Sequence, residues 1–376
     1  NATSPCTTAA TATVTLTQQA LPNAGTNGTL TVCAGTTTPI TASGGVTYVW
    51  SPATYISATT GATVTFTPGV TTTYTVTGTD AVGCIGSDQV VVTVSPLPTA
   101  TIAGTVTVCE GAAAQTITFT GAGAVAPYTF TYTLNGGANQ TVTSVGTTAT
   151  VSAPTGTAGT FTYALVSVAS ANSCSQVQAG NAVVTITPLP TATVTGTTTV
   201  CQNAAAPNVT FTGAGGTAPY TFTYNINGGA NQTVTTAVGN SVTVVAPSGT
   251  VGTFAYNLVS VASANGCSQA QVGTATVTIS PLPTATVTGT VTVCQGAAAP
   301  NITFTGANAT APYTFTYNIN GGAAQTVTSV GNTATVTAPT GTVGTFTYSL
   351  VSVQDASSTA CSQAQVGSAV ITVNPL

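Results

Sequence analysis

The sequence contains no lysine, arginine, histidine or methionine, and only four of its 376 residues are acidic. General acid–base catalysis needs titratable side chains within hydrogen-bond distance of the reacting atom. The four carboxylates belong to Asp80, Asp88, Glu110 and Asp355, which are spread along the chain. We therefore expect no enzymatic activity, no cofactor and no metal site.

The absence of positive charge also bears on the partners of the chain. Proteins that bind nucleic acids gain most of their affinity from Lys and Arg neutralising phosphates, so a nucleic-acid partner is excluded. A helix that spans a membrane needs a run of about 18 apolar residues, and the sequence has none. The chain is therefore predicted not to span a membrane by itself. The hydrophobic fraction of 43% separates it from disordered chains, which are poor in hydrophobic residues.

The chain contains three copies of one long repeat. The stretches TVTVCEGAAAQTITFTGAG, TTTVCQNAAAPNVTFTGAG and TVTVCQGAAAPNITFTGAN begin at Thr105, Thr197 and Thr290, and their cysteines recur every 92 to 93 residues. A period of this length is typical of arrays of small β-sandwich domains. A β-solenoid would have a much shorter repeat.

Apolar and polar residues alternate with a period of two within each copy. Tyr128, Phe130 and Tyr132 share one face of a predicted strand, and threonines occupy the other. Asn-Gly pairs follow the strand in each copy, at Asn135, Asn227 and Asn320, and predict hairpins with type I′ turns. Further strands are expected in each copy, for example at 232–238, 241–246, 253–262 and 270–279 in the second copy. About seven strands per copy predict an all-β, tandem array of immunoglobulin-like, Greek-key sandwiches.

Pro-Leu-Pro segments recur at the predicted domain junctions, after Ser95, Thr187 and Ser280. Two prolines in so short a linker favour an extended, stiff backbone, so we expect an elongated rod. The predicted bounds are 1–19 for a linker and either the final strand of a preceding domain or a donated strand, 20–96 for an Ig/PKD-like domain, and 97–188, 189–281 and 282–376 for three Ig-like repeats.

Several motifs resemble a known group of proteins. The predicted domain at 20–96 carries WSP at Trp50, TYTVTGTD ending at Asp80, and GC at Cys84. The three later repeats carry elements such as PLPTATVTGT, APYTFTYNINGG and CSQAQ. These elements resemble the tandem immunoglobulin-like and PKD-like modules of very large secreted surface proteins of Bacteroidota, including gliding-motility-type adhesins. The resemblance implies an extracellular, cell-surface setting.

The nine cysteines follow the repeat, with one early and one late in each domain. The separations of 65 to 67 residues in the three copies predict four intradomain disulfides, which pair Cys33 with Cys84, Cys109 with Cys174, Cys201 with Cys267 and Cys294 with Cys361. Stable disulfides are typical of an oxidising, extracellular compartment. A zinc site is the competing interpretation, but there is no Cys-x-x-Cys motif and no histidine.

Cys6 is left over in this scheme. The residues around it parallel the last strand of a repeat, which begins after Cys267. Residues 1–17 are therefore expected either to end a domain whose body lies outside this sequence, or to complete another subunit by strand donation. In either case Cys6 is unpaired within the chain or paired outside it.

The sequence as a whole favours a structural role as an extracellular stalk or filament-forming segment of an adhesin. Edge strands without Lys or other charge invite pairing, so self-association or contact with neighbouring domains of a long chain is expected. Threonine-rich faces are candidate acceptors of glycans. The alternative is a module that binds a glycan or another partner. Asp80 and Asp88 flank Cys84 and are expected to cap turns rather than to hold calcium. With so few titratable groups, stability should change little between pH 3 and 10.

Overall fold

The computed structural model describes residues 28–376. All the secondary-structure elements in this part of the chain are β-strands, as the alternation of β-branched and aromatic residues with polar ones predicts. Four hydrophobic clusters form four separate cores. We call the corresponding sandwiches modules 1 to 4. Modules 1 and 2 form one compact unit and modules 3 and 4 form another, and each unit is described by itself.

Module 1 has six strands around Trp50, the one tryptophan of the chain. The strands are β1 (Thr29–Cys33), β2 (Thr38–Thr41), β3 (Thr47–Ser51), β4 (Thr63–Phe66), β5 (Thr72–Thr79) and β6 (Ile85–Ser95). One sheet has the order β1-β6-β5-β3 and the other pairs β2 with β4. Phe66 of the second sheet packs on two aromatic residues of the first, with its ring centroid 5.5 Å from that of Trp50 and 4.3 Å from that of Tyr74.

Module 2 has eight strands in two sheets. They are β7 (Thr99–Ala103), β8 (Val106–Cys109), β9 (Gln115–Ala122), β10 (Thr129–Leu134), β11 (Asn139–Thr143), β12 (Thr148–Ala153), β13 (Gly159–Ala169) and β14 (Ser175–Thr187). The sheet orders are β11-β10-β13-β14-β8 and β12-β9-β7. Phe119 of one sheet packs on Phe130 of the other, with 5.6 Å between ring centroids.

Module 3 repeats this arrangement. Its strands are β15 (Thr191–Thr195), β16 (Thr198–Cys201), β17 (Asn208–Ala214), β18 (Thr221–Ile226), β19 (Gln232–Thr235), β20 (Ser241–Val245), β21 (Gly252–Ala262) and β22 (Ser268–Ser280). The sheet orders are β16-β22-β21-β18-β19 and β15-β17-β20.

Module 4 differs only in its last strand, which is divided in two. Its strands are β23 (Thr284–Thr288), β24 (Val291–Cys294), β25 (Asn301–Ala307), β26 (Thr314–Ile319), β27 (Gln325–Thr328), β28 (Thr333–Thr337), β29 (Gly344–Gln354), β30 (Ser362–Ala364) and β31 (Ser368–Asn374). The sheet orders are β24-β31-β29-β26-β27, with β30 also on β29, and β23-β25-β28.

The shared topology is immunoglobulin-like. In modules 2 to 4 the first, third and sixth strands form one sheet, and the second strand joins the other sheet beside the last strand. The second strand pairs with the last in parallel in modules 3 and 4, as β16 with β22 and β24 with β31. The predicted fold class of tandem Ig-like sandwiches is confirmed, and the solenoid alternative is excluded.

The aromatic strand predicted from the sequence forms the core. Tyr128, Phe130 and Tyr132 are at most 5% exposed. The equivalent tyrosines pack directly on a glycine of the facing sheet: a Cβ placed on Gly306 would lie 2.4 Å from the Tyr313 ring. The Tyr313 hydroxyl donates to the carbonyl of Ala309 at 2.7 Å, and its backbone N–H donates to Ser329 Oγ at 2.6 Å.

The predicted Asn-Gly turns are also confirmed. Asn227 and Gly228 have φ values of 53° and 74°, and the turn joins β18 to β19. The strands expected at 232–238, 241–246, 253–262 and 270–279 correspond to β19 to β22 with ends shifted by up to three residues. The domain bounds stay a prediction, and the expected strand in 1–19 lies outside the described residues. No helix within residues 28–376 has the length and apolarity to cross a membrane.

Candidate functional site: cystine bonds between modules

The early cysteine of a module ends a short strand that lies beside the last strand of the module, namely the first described strand of module 1 and the second strand of modules 2 to 4. Cys33 is the last residue of β1 and lies opposite Ser95, the last residue of β6. Cys201 lies opposite Ser280 in the same way, and Cys294 lies opposite Asn374. Because these strand pairs are parallel, the early cysteine lies at the end of the module where the last strand ends. We call this the outgoing end.

The late cysteine lies in the turn just before the last strand. Its carbonyl accepts a hydrogen bond from the backbone N–H four to six residues earlier in every module. The donors are Asp80 to Cys84 (3.0 Å), Ser170 to Cys174 (2.8 Å), Ser263 to Cys267 (2.9 Å) and Asp355 to Cys361 (2.9 Å). In module 2 this turn lies near the entering linker, since Asn172 Nδ2 donates to Ser95 Oγ, directly before the linker, and Ala100 N donates to Gln178 Oε1. We call this the incoming end.

The early and late cysteines of one module therefore lie at opposite ends of its last strand. In module 3, Cys267 precedes the thirteen residues of β22, and Cys201 lies opposite the final residue of that strand. At about 3.4 Å per residue the strand separates them by about 40 Å. A disulfide requires Cα atoms less than about 7 Å apart. A bond within the module is therefore sterically impossible.

The disulfides instead connect one module to the next. Cys33 of module 1 bonds Cys174 of module 2, and Cys201 of module 3 bonds Cys361 of module 4, with Cα atoms 5.5 Å apart in both. All four predicted intradomain pairs, namely Cys33 with Cys84, Cys109 with Cys174, Cys201 with Cys267 and Cys294 with Cys361, are wrong. The physical reason is the parallel pairing of the last strand with the strand that ends in the early cysteine, because this pairing places the early cysteine at the outgoing end.

The junction of modules 1 and 2 is crossed twice, once by the linker and once by the cystine. The linker of residues 96–98 leaves β6 directly after Ser95, the residue that pairs with Cys33. Asn172, in the turn that holds Cys174, donates from Nδ2 to Ser95 Oγ at 3.2 Å. Cys174 is 1% exposed, so this bond is shielded from solvent at its module 2 side.

The junction of modules 3 and 4 has the same plan. The linker of residues 281–283 leaves β22 beside Cys201. Cys361 is 1% exposed, and the Thr359 hydroxyl lies 3.2 Å from its sulfur. We call each such bond between an early and a late cysteine of successive modules a staple.

The remaining cysteines fall into three groups. Cys109 and Cys267 are disulfide-bonded. Cys84 and Cys294 are free, and both are exposed. Cys6, predicted to be unpaired within the chain or paired outside it, lies outside the described residues.

Asp80 and Asp355 accept hydrogen bonds within loops, whereas Asp88 lies within strand β6, so the prediction that it caps a turn is wrong. Asp80 Oδ1 accepts hydrogen bonds from the backbone N–H groups of Val82 (2.9 Å) and Cys84 (2.8 Å). Asp88 Oδ1 accepts from the Gln89 N–H at 2.8 Å, and Asp355 accepts from the Ser357 hydroxyl at 2.8 Å. Within residues 28–376 no three acidic or cysteine side chains lie close enough together to hold a metal ion.

Comparison with solved structures gives likenesses of fold. The chain is similar to a region of a 1.5-MDa bacterial ice-binding adhesin at 17% identity and a TM-score of 0.36, covering 74% of this chain and 98% of the other. It is similar to the I-band fragment I67–I69 of titin at 12% identity and a TM-score of 0.43, with the same coverages. A tetra-tandem repeat from the extending region of a large adhesion protein matches at 16% identity and a TM-score of 0.29, covering 92% and 99%. No family model and no curated protein matches the sequence.

Proposed function

We propose that this chain is a structural, load-bearing segment of an extracellular bacterial cell-surface stalk or filament of the adhesin type. The observation that carries the proposal is the staple between Cys33 and Cys174, which joins two separately cored sandwiches across a proline-rich linker. The bond lies beside the linker, at the junction of the two modules. It resists separation of the modules under tension.

The location follows from the chemistry of the bonds. Cystines persist in oxidising compartments such as the cell exterior, and six of the described cysteines are bonded. The Bacteroidota setting rests on the sequence resemblance of the motifs named above, among them TYTVTGTD, PLPTATVTGT and CSQAQ.

The alternative of a glycan-binding module is less well supported. Aromatic side chains that stack on sugars must be accessible, whereas Trp50 is 2% exposed and donates its indole N–H to the Gly61 carbonyl at 2.9 Å. The aromatic strands of modules 2 to 4 face their cores.

Single-molecule stretching from the two termini tests the proposal. In the oxidised chain the staples short-circuit the 141 residues from Cys33 to Cys174 and the 160 from Cys201 to Cys361. Reduction should release both segments, which adds about 1,000 Å of extended chain at 3.3–3.6 Å per residue. A chain with Cys6, Cys84 and Cys294 all replaced by Ser is the control and should behave as the unaltered chain. Equal contour lengths before and after reduction would refute the proposal.

A further inference from the structure

The two free described cysteines are the two complementary halves of a staple. Cys294 is an early cysteine at the outgoing end of module 4, and Cys84 is a late cysteine at the incoming end of module 1. Their equivalents Cys33, Cys201, Cys174 and Cys361 are all bonded to a neighbouring module. We propose that Cys294 bonds the late cysteine of a further module of this kind, and that Cys84 bonds the early cysteine of another.

The backbone around Cys294 has the conformation of the bonded early cysteines. In module 3 the turn after Cys201 is closed by Ala204 N donating to the Cys201 carbonyl at 3.0 Å, and Gln202 N donates to Ser280 O at 2.8 Å. In module 4, Ala297 N donates to the Cys294 carbonyl at 3.1 Å, and Gln295 N donates to Asn374 O at 2.8 Å. The backbone around Cys294 therefore already has the conformation in which Cys201 is bonded.

The turn of Cys84 matches the bonded late cysteines in the same way. A residue with positive φ precedes the cysteine in each case, as in Gly83 (86°) and Ser173 (63°). The bonded Cys174 and Cys361 are 1% exposed, whereas Cys84 is exposed between two exposed apolar side chains, Val82 (78%) and Ile85 (68%). A module seated on this end would bury all three.

An early half and a late half on one chain associate head to tail, and such a contact builds either an open chain of copies or a ring. In both cases the partner is a cysteine of this repeat: a late cysteine in its turn for Cys294, and an early cysteine at its strand end for Cys84. It can belong to a second copy of this chain or to a further module of the same polypeptide. The new staple would carry tension from one module to the next, as the two observed staples do in the proposed function. This inference rests on the proposed function because the bond needs an oxidising compartment.

The bond forms by thiol–disulfide exchange with a small-molecule disulfide as oxidant. The Cys294 thiolate attacks one sulfur of the oxidant and expels a thiolate, which leaves a mixed disulfide. The partner's late-cysteine thiolate then attacks the Cys294 sulfur and expels the second thiolate. Two cysteine thiols lose two protons and two electrons, and the oxidant is reduced to two thiols.

The first arm of the test asks whether two copies join. In a Cys6→Ser background, the Cys84→Ser chain keeps only the early half and the Cys294→Ser chain keeps only the late half. With a glutathione redox buffer, the mixture should form a dimer on non-reducing gels, linked from Cys294 to Cys84 by peptide mass mapping. Either variant alone should stay monomeric, and the Cys6→Ser chain with both thiols should form a ladder.

The second arm asks whether a module on the same polypeptide is the partner. A copy of residues 283–376 is appended after Leu376, which restores a Pro-Leu-Pro linker and places a second Cys361-type turn beyond module 4. If the lengthened chain forms a bond between Cys294 and the appended module at every protein concentration, and the first arm gives no dimer, the partner is a following module of the same polypeptide. If the first arm gives the dimer, a second copy of the chain can be the partner.

Three results would overturn the inference. They are no bond in either arm, dimers of one variant alone in amounts equal to the mixture, or a mass map that joins Cys294 to Cys294. None of these results bears on the staple of Cys33 and Cys174, so a chain that stays monomeric yet lengthens on reduction leaves the proposed function intact.

Discussion

Cys33 of module 1 and Cys174 of module 2 are 141 residues apart in sequence, and their Cα atoms lie 5.5 Å apart. Module 2 remains folded when module 1 alone unfolds, so it holds Cys174 close to the start of the linker. The staple then closes a loop of the size of module 1. In the chain-entropy model a loop of this size raises the free energy of unfolding by about 4 kcal/mol.

Replacing both cysteines tests this stabilisation. The Cys33→Ser/Cys174→Ser chain should lose up to about 4 kcal/mol from the unfolding of module 1, measured by urea denaturation with Trp50 fluorescence. Since Trp50 is the one tryptophan of the chain, the signal reports on module 1 alone.

The control for that experiment is Cys294→Ser, which removes a free and exposed thiol and should leave the Trp50 transition unchanged. If the double variant unfolds at the same urea concentration as the unaltered chain, the staple holds the modules together without stabilising module 1.

The sequence predicts the fold well and the cystine pairing poorly, for a definite reason. The turn at Asn227 and Gly228 depends on two adjacent residues, and the burial of Tyr220, Phe222 and Tyr224 depends on local alternation. The pairing of Cys201 depends on a parallel contact with Ser280, 79 residues later. Alternation shows which face of a strand is buried but not the direction of its neighbour.

The repeat itself also conceals the pairing. Because every module has one early and one late cysteine, the same sequence fits bonds within a module and bonds to the next. One signal in the sequence distinguishes them. The long alternating strand after Cys267 leads straight to the linker, which places the late cysteine a full strand length from the outgoing end.

A second prediction concerns the tyrosine that packs on a glycine. Gly306→Ala should destabilise module 4, because the added Cβ would lie 2.4 Å from the base of the Tyr313 ring, where the side chain is least able to move. Overpacking of this kind costs about 1–3 kcal/mol, measurable by calorimetry. The matched control is Gly341→Ala in the same module, which has open space around it and should have no such effect. Equal losses in the two variants would refute the packing argument.

A third prediction concerns the turn of Cys84. Asp80→Ala removes the oxygen that accepts from the N–H groups of Val82 and Cys84 and should destabilise module 1 by about 1 kcal/mol, measured by the Trp50 transition. Asp80→Asn keeps an acceptor oxygen in the same place and should retain most of the stability. A loss in Asn as large as in Ala would show that the charge matters rather than the hydrogen bonds.

The last prediction concerns alkaline pH. Burial raises the pKa of Tyr163, Tyr256 and Tyr348 above the ordinary value of 10.0, with a smaller contribution from a neighbouring tyrosine in each case. The folded chain keeps these phenol protons to a higher pH than the unfolded chain does. Stability should therefore be level up to about pH 10 and fall as the pH rises further, because the unfolded state then binds fewer protons.

Melting temperatures from pH 7 to 12, with tyrosinate absorbance recorded in parallel, measure this fall. Tyr256→Phe removes one of the shifted phenols and should make the fall shallower, while the ring contact with Tyr224, at 6.2 Å between centroids, is kept. If Tyr256→Phe and the unaltered chain lose stability with the same slope, the buried phenols are not the groups that make the fold sensitive to base.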